Sequence, residues 1–257
     1  MTENSKRSVG FDRKILLPWI DAVADWMAAG ESNKSIREKL DLLLEGKVAG
    51  DGSGSAKGKT ITVLSHVWVS VPDRLKPLRD EGLALLRHQS GASRLALHWG
   101  MCLATYPFFK AVADTVGRLL RLQGVAGAAQ VRRRVQEQFG ERQIVARGLQ
   151  HVLRTFVEWG MLQDTTEKGV YRSGAVISVN EPNLSAWLIE AILTAGGTEA
   201  SVFQSIVRSP ALFPFEPLTF NVSHLNRSER LEYFRQGLDE DVVMLRRPQA
   251  TASAVRG

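Results

Sequence analysis

The chain has 257 residues, 44% of them hydrophobic, and its 33 lysines and arginines exceed its 27 acidic residues to give a net charge of +6. This composition indicates a soluble protein with enough apolar side chains for a core. The single cysteine, Cys102, excludes a disulfide framework and a multi-cysteine metal site. The apolar run around it, about 14 residues long, is too short to span a bilayer, and residues 1–10 lack the apolar core of a signal peptide. We therefore expect a cytoplasmic protein with no membrane partner.

The positive charge is concentrated in the first two thirds of the chain. Residues 1–110 and 111–175 each carry a net charge of +4, whereas residues 181–257 carry −2. Because positive regions attract anions, a polyanionic partner is expected to bind outside the C-terminal third.

The N-terminal part has the apolar spacing of amphipathic helices. We expect residues 1–10 to be disordered and a helix to begin near Phe11. Ser35 and Glu38 stand in capping-box register before a second helix. The mixed charge on the polar faces of these two helices favours a helical unit that serves packing, and a helix-turn-helix-like unit is the alternative. Residues 11–90 are predicted to form a helical domain.

Residues 46–60 are rich in glycine, serine and lysine and predict a mobile loop. The next stretch, Thr60 to Val71, favours a helix capped by Thr60, with a strand as the alternative because β-branched residues are frequent in it. The end of the loop, Gly58-Lys59-Thr60, is similar to a phosphate-binding loop. However, Ser53 replaces the required first glycine, and a helical pattern precedes the loop where a buried strand is needed. A basic loop that contacts phosphate is therefore favoured over the alternative, a nucleotide-dependent enzyme.

The middle of the chain predicts two apolar helices, Ser93 to Thr105 and Pro107 to Gln123, followed by a glycine-bounded turn and a third helix. That third helix, Ala128 to Phe139, has apolar residues at every fourth position. The pattern leaves three consecutive arginines partly exposed, Arg132, Arg133 and Arg134.

The next helix, about Arg142 to Trp159, has two distinct faces. The apolar stripe, which we expect to be buried, contains Ile144, Val145, Leu149, Val152, Leu153, Phe156 and Val157. The opposite side carries Gln143, Arg147, Gln150 and Arg154. His151 borders this polar side and is expected to be solvated.

Alternating apolar and polar residues on both sides of the turn DTTEKG predict a β-hairpin directly after this helix. Lys168 and Arg172 lie where such a hairpin would contact a nucleic-acid backbone, although Asp164 and Glu167 weaken that interpretation.

An α-helix fits the major groove of DNA, where arginine can bind guanine and glutamine can bind adenine. The hypothesis is therefore that the arginine and glutamine side binds double-stranded DNA. The predicted DNA-binding residues are Arg132, Arg133, Arg134, Arg142, Gln143, Arg147, Gln150, Arg154, Lys168 and Arg172. The alternative is a solvated face on a unit that binds a protein partner.

The C-terminal third, residues 181–247, is predicted to be a small α+β interaction region. Its expected elements are a helix introduced by residues 181–184 and stopped by Gly196-Gly197, a short helix from Ser201 to Ser209, a proline-rich segment burying Phe213 and Phe215, a strand over 218–225, a last helix capped by Ser228, and a disordered tail. No motif predicts catalysis, a metal site or a cofactor, since the five histidines have no metal-ligand spacing.

Residues 111–174 resemble the winged helix-turn-helix family in the helix AAQVRRRVQEQFG, the helix RQIVARGLQHVLRTFVEWGML and the hairpin beyond. The whole layout also resembles the BrxA family, small DNA-binding accessory proteins of BREX phage-defence systems, through the phrase VEWGML that ends the helix-turn-helix. This resemblance implies double-stranded DNA binding, no catalysis, and work beside a methyltransferase and large ATPases. We therefore predict a mostly α protein with a helical N-terminal unit, a winged helix-turn-helix within residues 91–180, and a small α+β C-terminal region.

Overall fold

The computed structural model describes residues 8–216, 225, 228–236 and 240–246, and within them the protein is mostly helical. The helices are α1 Leu17–Ala28, α2 Asn33–Leu44, α3 Ala56–Trp68, α4 Lys76–Leu86, α5 Ala92–Thr105, α6 Pro107–Gln123, α7 Ala128–Phe139, α8 Gln143–Glu158, α9 Pro182–Gly196 and α10 Phe203–Val207. The strands are β1 Val125–Gly127, β2 Leu162–Asp164, β3 Val170–Ser173, β4 Ala200–Val202, β5 Leu231–Gln236 and β6 Glu240–Leu245. The predicted mostly α class is confirmed. None of the helices in this described part combines the length and hydropathy needed to cross a bilayer.

One aromatic cluster joins distant parts of the chain around Trp99 on α5. Its ring centroid lies 5.1 Å from that of Phe109 on α6, 4.8 Å from that of Phe156 on α8, and 5.4 Å from that of Phe213. The indole nitrogen donates a hydrogen bond of 2.9 Å to the carbonyl of Ala211. Aromatic packing therefore extends a single apolar core through the N-terminal, middle and C-terminal parts.

Helix α9 is held to the helical body by Trp187. The indole nitrogen donates a 2.8 Å hydrogen bond to the carbonyl of Leu78 on α4, and the ring lies against Gly100 on α5. A methyl group at Gly100 would approach the ring to 2.4 Å, so this position requires glycine. The proline-rich segment buries Phe215, as expected, and leaves Phe213 half-buried.

The helix expected from Phe11 begins instead at Leu17, since residues 8–16 form a segment that runs along α8. In that segment the amide of Ile15 donates to the hydroxyl of Thr155 at 3.0 Å, and Trp159 donates to the carbonyl of Ile15 at 3.0 Å. Val9 is buried, so the disorder expected for residues 1–10 is wrong for residues 8–10. Residues 1–7 lie outside the described residues.

Two expected helix caps are also wrong. Ser32, and not Ser35, caps α2 by accepting a 3.2 Å hydrogen bond from the Ser35 amide. Ser55 caps α3 by accepting from the Gly58 amide at 3.0 Å, so the helix starts four residues before Thr60. Both caps have extended backbone dihedrals, the conformation that an N-cap needs.

The middle of the chain follows the order α6, β1, α7, α8, β2, β3, and its strands form an antiparallel sheet in the order β1-β3-β2. The predicted bounds of α6 and α7 are confirmed, and α8 differs from prediction by one residue at each end. Strand β1 was not predicted because its three residues, VAG, have no alternation long enough to register as a strand.

The last predicted helix is wrong, because residues 231–236 form β5 in a second antiparallel sheet of order β4-β6-β5. The Ser228 hydroxyl accepts from the amides of Arg230 and Leu231, so it caps a turn that leads into a strand. The short helix expected from Ser201 starts at Phe203, after strand β4. The strand expected over 218–225 and the C-terminal tail lie outside the described residues, apart from residue 225.

Candidate nucleic-acid interface

The polar face of α8 is open to solvent along its whole length. Gln143, Arg147, Gln150 and Arg154 are all exposed, while Val145, Leu149, Val152, Leu153 and Phe156 are buried on the other side. Two members of the predicted apolar stripe depart from expectation, since Val157 is only half-buried and Ile144 is 48% exposed. Ile144 lies in the first turn of α8, next to the polar stripe.

The buried side of α8 is fixed by close packing. A methyl group at Gly148 would lie 2.6 Å from a methyl carbon of Val9 and 3.2 Å from the ring of Phe108, so the absent side chain lets the N-terminal segment and α6 approach. Together with the bonds to Thr155 and Trp159, these contacts hold α8 as a rigid element that presents its polar face outward.

The turn between α7 and α8 has only three residues, and Arg142 belongs to it. Its guanidinium group is half-buried and donates a 3.0 Å hydrogen bond to the carbonyl of Phe139 at the end of α7. Gly140 supplies a backbone with φ of 82°. Arg142, a predicted DNA contact, therefore helps to hold the turn that orients α8.

The β2–β3 hairpin lies beside α8 and is tied to the start of α7. The amide of Ala128 donates to the carbonyl of Gly169 at 2.8 Å. The hydroxyl of Thr165 bridges the hairpin loop by donating to Val170 and accepting from the amide of Glu167. This bonding holds Lys168, an exposed residue of the loop, on the same side of the protein as α8.

An ion pair joins the C-terminal half of α8 to the hairpin. One nitrogen of Arg154 lies 2.9 Å and 2.8 Å from the two carboxylate oxygens of Asp164 on β2. These hydrogen bonds to Asp164 raise the pKa of Arg154 above its usual value. Both side chains are about half exposed, so the pair contributes at most about 1 kcal/mol to stability.

A cleft of about 1070 Å³ lies between α8, the start of α7 and the hairpin. It brings together four of the predicted residues, Arg132, Gln150, Arg154 and Lys168, with the carboxylates of Asp164 and Glu167. Leu149, Leu153 and Tyr171 contribute apolar lining. The cleft is thus a mostly apolar groove in which three cationic side chains slightly outnumber two carboxylates.

The other predicted residues lie outside this cleft. Arg134 faces a separate groove between α6 and α7 and lies 3.7 Å from Glu137. Arg172 follows the buried Tyr171 on β3. Because successive side chains of a strand point to opposite faces of the sheet, Arg172 points away from the face on which Tyr171 lines the cleft. Gln143 and Arg147 continue the α8 face beyond the cleft.

The cleft also contains Gln123 and Gln130, which are not among the predicted residues. Gln130 lies in the first turn of α7 and accepts a 2.9 Å hydrogen bond from Gln123 at the end of α6. The sequence does carry a signal for Gln130, because extending the predicted polar side of α7 back from Arg132 includes it. Nothing in the sequence placed Gln123 beside it, because β1 separates the two helices.

Most of the predicted cations have no carboxylate partner within the described residues. No ion pair there involves Arg132, Arg133, Arg147, Lys168 or Arg172, whereas Arg134 and Arg154 are paired. Unpaired exposed cations repel one another and attract polyanions, so Arg132, Arg147 and Lys168 make the α8 side of the protein electrostatically suited to phosphate groups.

His151 lies on the border of the α8 face and is half-buried, where a solvated histidine was expected. Burial lowers its pKa, and the positive charge of Arg13 in the N-terminal segment lowers it further. The imidazole is therefore charged less readily than an unperturbed histidine.

The loop that was compared with a phosphate-binding loop has a structural role. Lys57 is buried against the carboxylates of Asp41 at 3.1 Å and Asp51 at 2.9 Å. The Thr60 hydroxyl, which a magnesium site would require, donates at 2.9 Å to a carbonyl of its own helix. Helix α2 precedes the loop, so the strand that feeds a phosphate-binding loop is replaced by a helix.

A buried histidine and a partly exposed aspartate also meet outside the interface. His98 on α5 lies 2.8 Å from Asp21 on α1, and its other ring nitrogen accepts a 3.1 Å hydrogen bond from Trp68 on α3. Arg94 donates to the same aspartate at 2.8 Å. Both imidazole nitrogens are thus occupied in joining three helices. In the described parts of the chain, no group of three histidine, cysteine or carboxylate side chains is arranged to hold a metal ion.

Comparisons with protein-family models, with curated proteins and with solved structures find no match for this chain.

Proposed function

We propose that residues 107–173 form a winged helix-turn-helix that binds double-stranded DNA, with α8 as the recognition helix and the β2–β3 hairpin as the wing. The order of helices and strands and the sheet order β1-β3-β2 support this proposal. The observation that carries it is the exposed face of Gln143, Arg147, Gln150 and Arg154 beside a cleft that contains Arg132 and Lys168.

In the proposed complex α8 enters the major groove with its polar face toward the base edges. Arg147 and Gln150 lie at the centre of α8. Arg147 can donate two hydrogen bonds to guanine, whereas Gln150 can donate one to N7 of adenine and accept one from its N6 amino group. Arg132 and Lys168 approach the phosphates on either side, which would supply much of the affinity through counterion release. The protein has no catalytic role in this proposal.

Replacement of two arginines tests the proposal. We expect Arg147→Ala combined with Arg154→Ala to weaken binding to a mixed-sequence duplex at least about tenfold in low salt, since each contact contributes about 1 kcal/mol or more. The slope of log affinity against log salt concentration should decrease in magnitude by up to about two, because two phosphate or base contacts are lost.

The matched control is Arg74→Ala combined with Arg235→Ala, which removes the same charge from exposed positions away from α8. It should retain nearly all of the affinity. Equal losses of affinity in the two double variants would mean that binding depends on net charge alone. Unchanged binding by the α8 variant, with its fold intact by circular dichroism, would refute the assignment of α8 as the recognition helix.

The second candidate is a protein-interaction scaffold. It is favoured by the carboxylates of Asp164 and Glu167 in the cleft, which repel phosphate and can pair with basic side chains of a protein. A stable partner purified with the chain, combined with no salt-sensitive duplex binding, would select this function over DNA binding.

The role beside a methyltransferase and ATPases in a BREX phage-defence system is a proposal from the resemblance alone. Retention of those proteins on the immobilised chain, and loss of phage resistance on its deletion, are the tests.

A further inference from the structure

We infer that Ile144 reads thymine, by burying the C5 methyl group of that base when α8 lies in the major groove. The inference rests on the proposed function and adds a base preference that the arginines and glutamines do not supply.

The first observation is the exposure of Ile144. Its side chain is 48% exposed in the first turn of α8, whereas Val145, Leu149 and Val152 on the same helix are buried. An exposed isoleucine is unfavourable in two ways. Its β-branched side chain forms helices less well than alanine, and its apolar surface would be more stable if it were buried. Packing within the described residues therefore does not explain this isoleucine.

The second observation is its surroundings. Ile144 follows the exposed Gln143, and Arg147 lies one turn further along α8, so the apolar side chain is bordered by polar and cationic groups. A hydrophobic protein partner would match Ile144 and leave Arg147 facing apolar surface. A DNA groove matches both, since it is lined by phosphates and contains one exposed apolar group, the thymine methyl.

The position on the helix is consistent with this occupant. Side chains near the N-terminal end of a recognition helix contact base edges, while later turns approach the backbone. Gln143 and Ile144 are adjacent, so a glutamine contact to adenine and an isoleucine contact to a thymine methyl could be made within one short A·T segment. Arg147 would read a neighbouring base pair.

The test begins with a random-sequence duplex pool, from which the wild-type chain selects its preferred site. Each thymine of that site is then replaced in turn by uracil, which lacks the methyl group and keeps the pairing edge. We expect one or two replacements to weaken wild-type binding roughly fourfold each, the ratio given by burial of one methyl-sized group.

Ile144→Ala should bind the thymine and uracil forms of that site equally, and its salt dependence should match that of the wild type because no charge changes. Leu42→Ala is the control, since Leu42 is 70% exposed on α2 and has the same apolar character. It should keep the full discrimination between thymine and uracil.

The outcomes separate this inference from the proposed function. Salt-sensitive duplex binding that is indifferent to every uracil replacement, or an Ile144→Ala variant that discriminates as the wild type does, overturns the thymine contact alone. Absence of any duplex binding overturns both.

Discussion

The two small sheets of this protein are each joined to a helix by an arginine–carboxylate pair, and the two pairs differ in burial. In the first sheet, Arg154 of α8 and Asp164 of β2 are both about half exposed. At the second sheet, Arg230 precedes β5 and binds Glu190 of α9, which is buried. One nitrogen of Arg230 lies 2.8 Å and 3.0 Å from the two Glu190 oxygens.

The difference in burial assigns the pairs different roles. A buried carboxylate has lost its hydration, so it depends on its arginine, whereas an exposed pair exchanges readily with water and other ions. Loss of Arg230 would therefore leave an unpaired buried charge where the C-terminal sheet meets α9. The first pair leaves Arg154 able to exchange Asp164 for a phosphate, at the edge of the proposed DNA-binding face.

The largest expected effect is on stability at the second sheet. Arg230→Met keeps the apolar part of the side chain and leaves Glu190 buried without its cation, and we expect the free energy of unfolding to fall by about 3 kcal/mol. Arg154→Met, the matched change at the first sheet, should cost less than about 1 kcal/mol. Urea denaturation followed by circular dichroism measures both, and similar losses would abolish the distinction between the pairs.

A smaller effect is expected on DNA affinity at the first sheet. Asp164→Ala removes a negative charge from the cleft and also frees Arg154, so affinity for a mixed-sequence duplex should rise about fivefold at low salt, equivalent to about 1 kcal/mol. Glu167→Ala removes the same charge from the same cleft without breaking an ion pair of the described residues. It should raise affinity less, and an equal rise would mean that the Arg154 pair does not restrain binding.

The smallest expected effect is a pH dependence of stability that arises from Glu81, a carboxylate on α4 beside Arg230. Burial raises the pKa of Glu81, and the nearby charge of Glu190 raises it further, while Arg230, 3.7 Å away, partly opposes this. Because the folded pKa exceeds the unfolded value near 4.5, the folded state holds its proton more tightly. This contribution to stability is fully present below pH 4.5 and is lost as pH rises through the folded pKa.

Replacement of Glu81 isolates that contribution. The difference in free energy of unfolding between the wild type and Glu81→Gln should shift against the wild type as pH rises above 4.5 and then level off. Asp80→Asn, at the neighbouring and more exposed carboxylate, is the control. A constant difference across the pH series would show that Glu81 keeps its ordinary pKa.

Much of the middle region could be predicted because its signals are local. Pro107 at the start of α6, Gly124 after its end and Gly140 after α7 fix helix ends through their own backbone preferences. The apolar spacing of α8 likewise separates a buried side from a polar one. In the C-terminal part, residues 231–236 were predicted as a helix and form a strand. Their pairing with β6, and the packing of Leu231 and Tyr233 against the core, outweigh the helical pattern.

The sequence by itself determined the mostly helical class, the helices on either side of the α7–α8 turn and the arginine and glutamine face, because helix ends and helical periodicity depend on residues close together in the chain. Only the tertiary structure decided which cations meet in one cleft, that Arg154 pairs with Asp164, that Arg172 lies on the other face of its sheet, and that Ile144 stays exposed. Those outcomes depend on strand register, on ion pairs and on packing by the N-terminal segment. All of these join residues that local spacing does not relate.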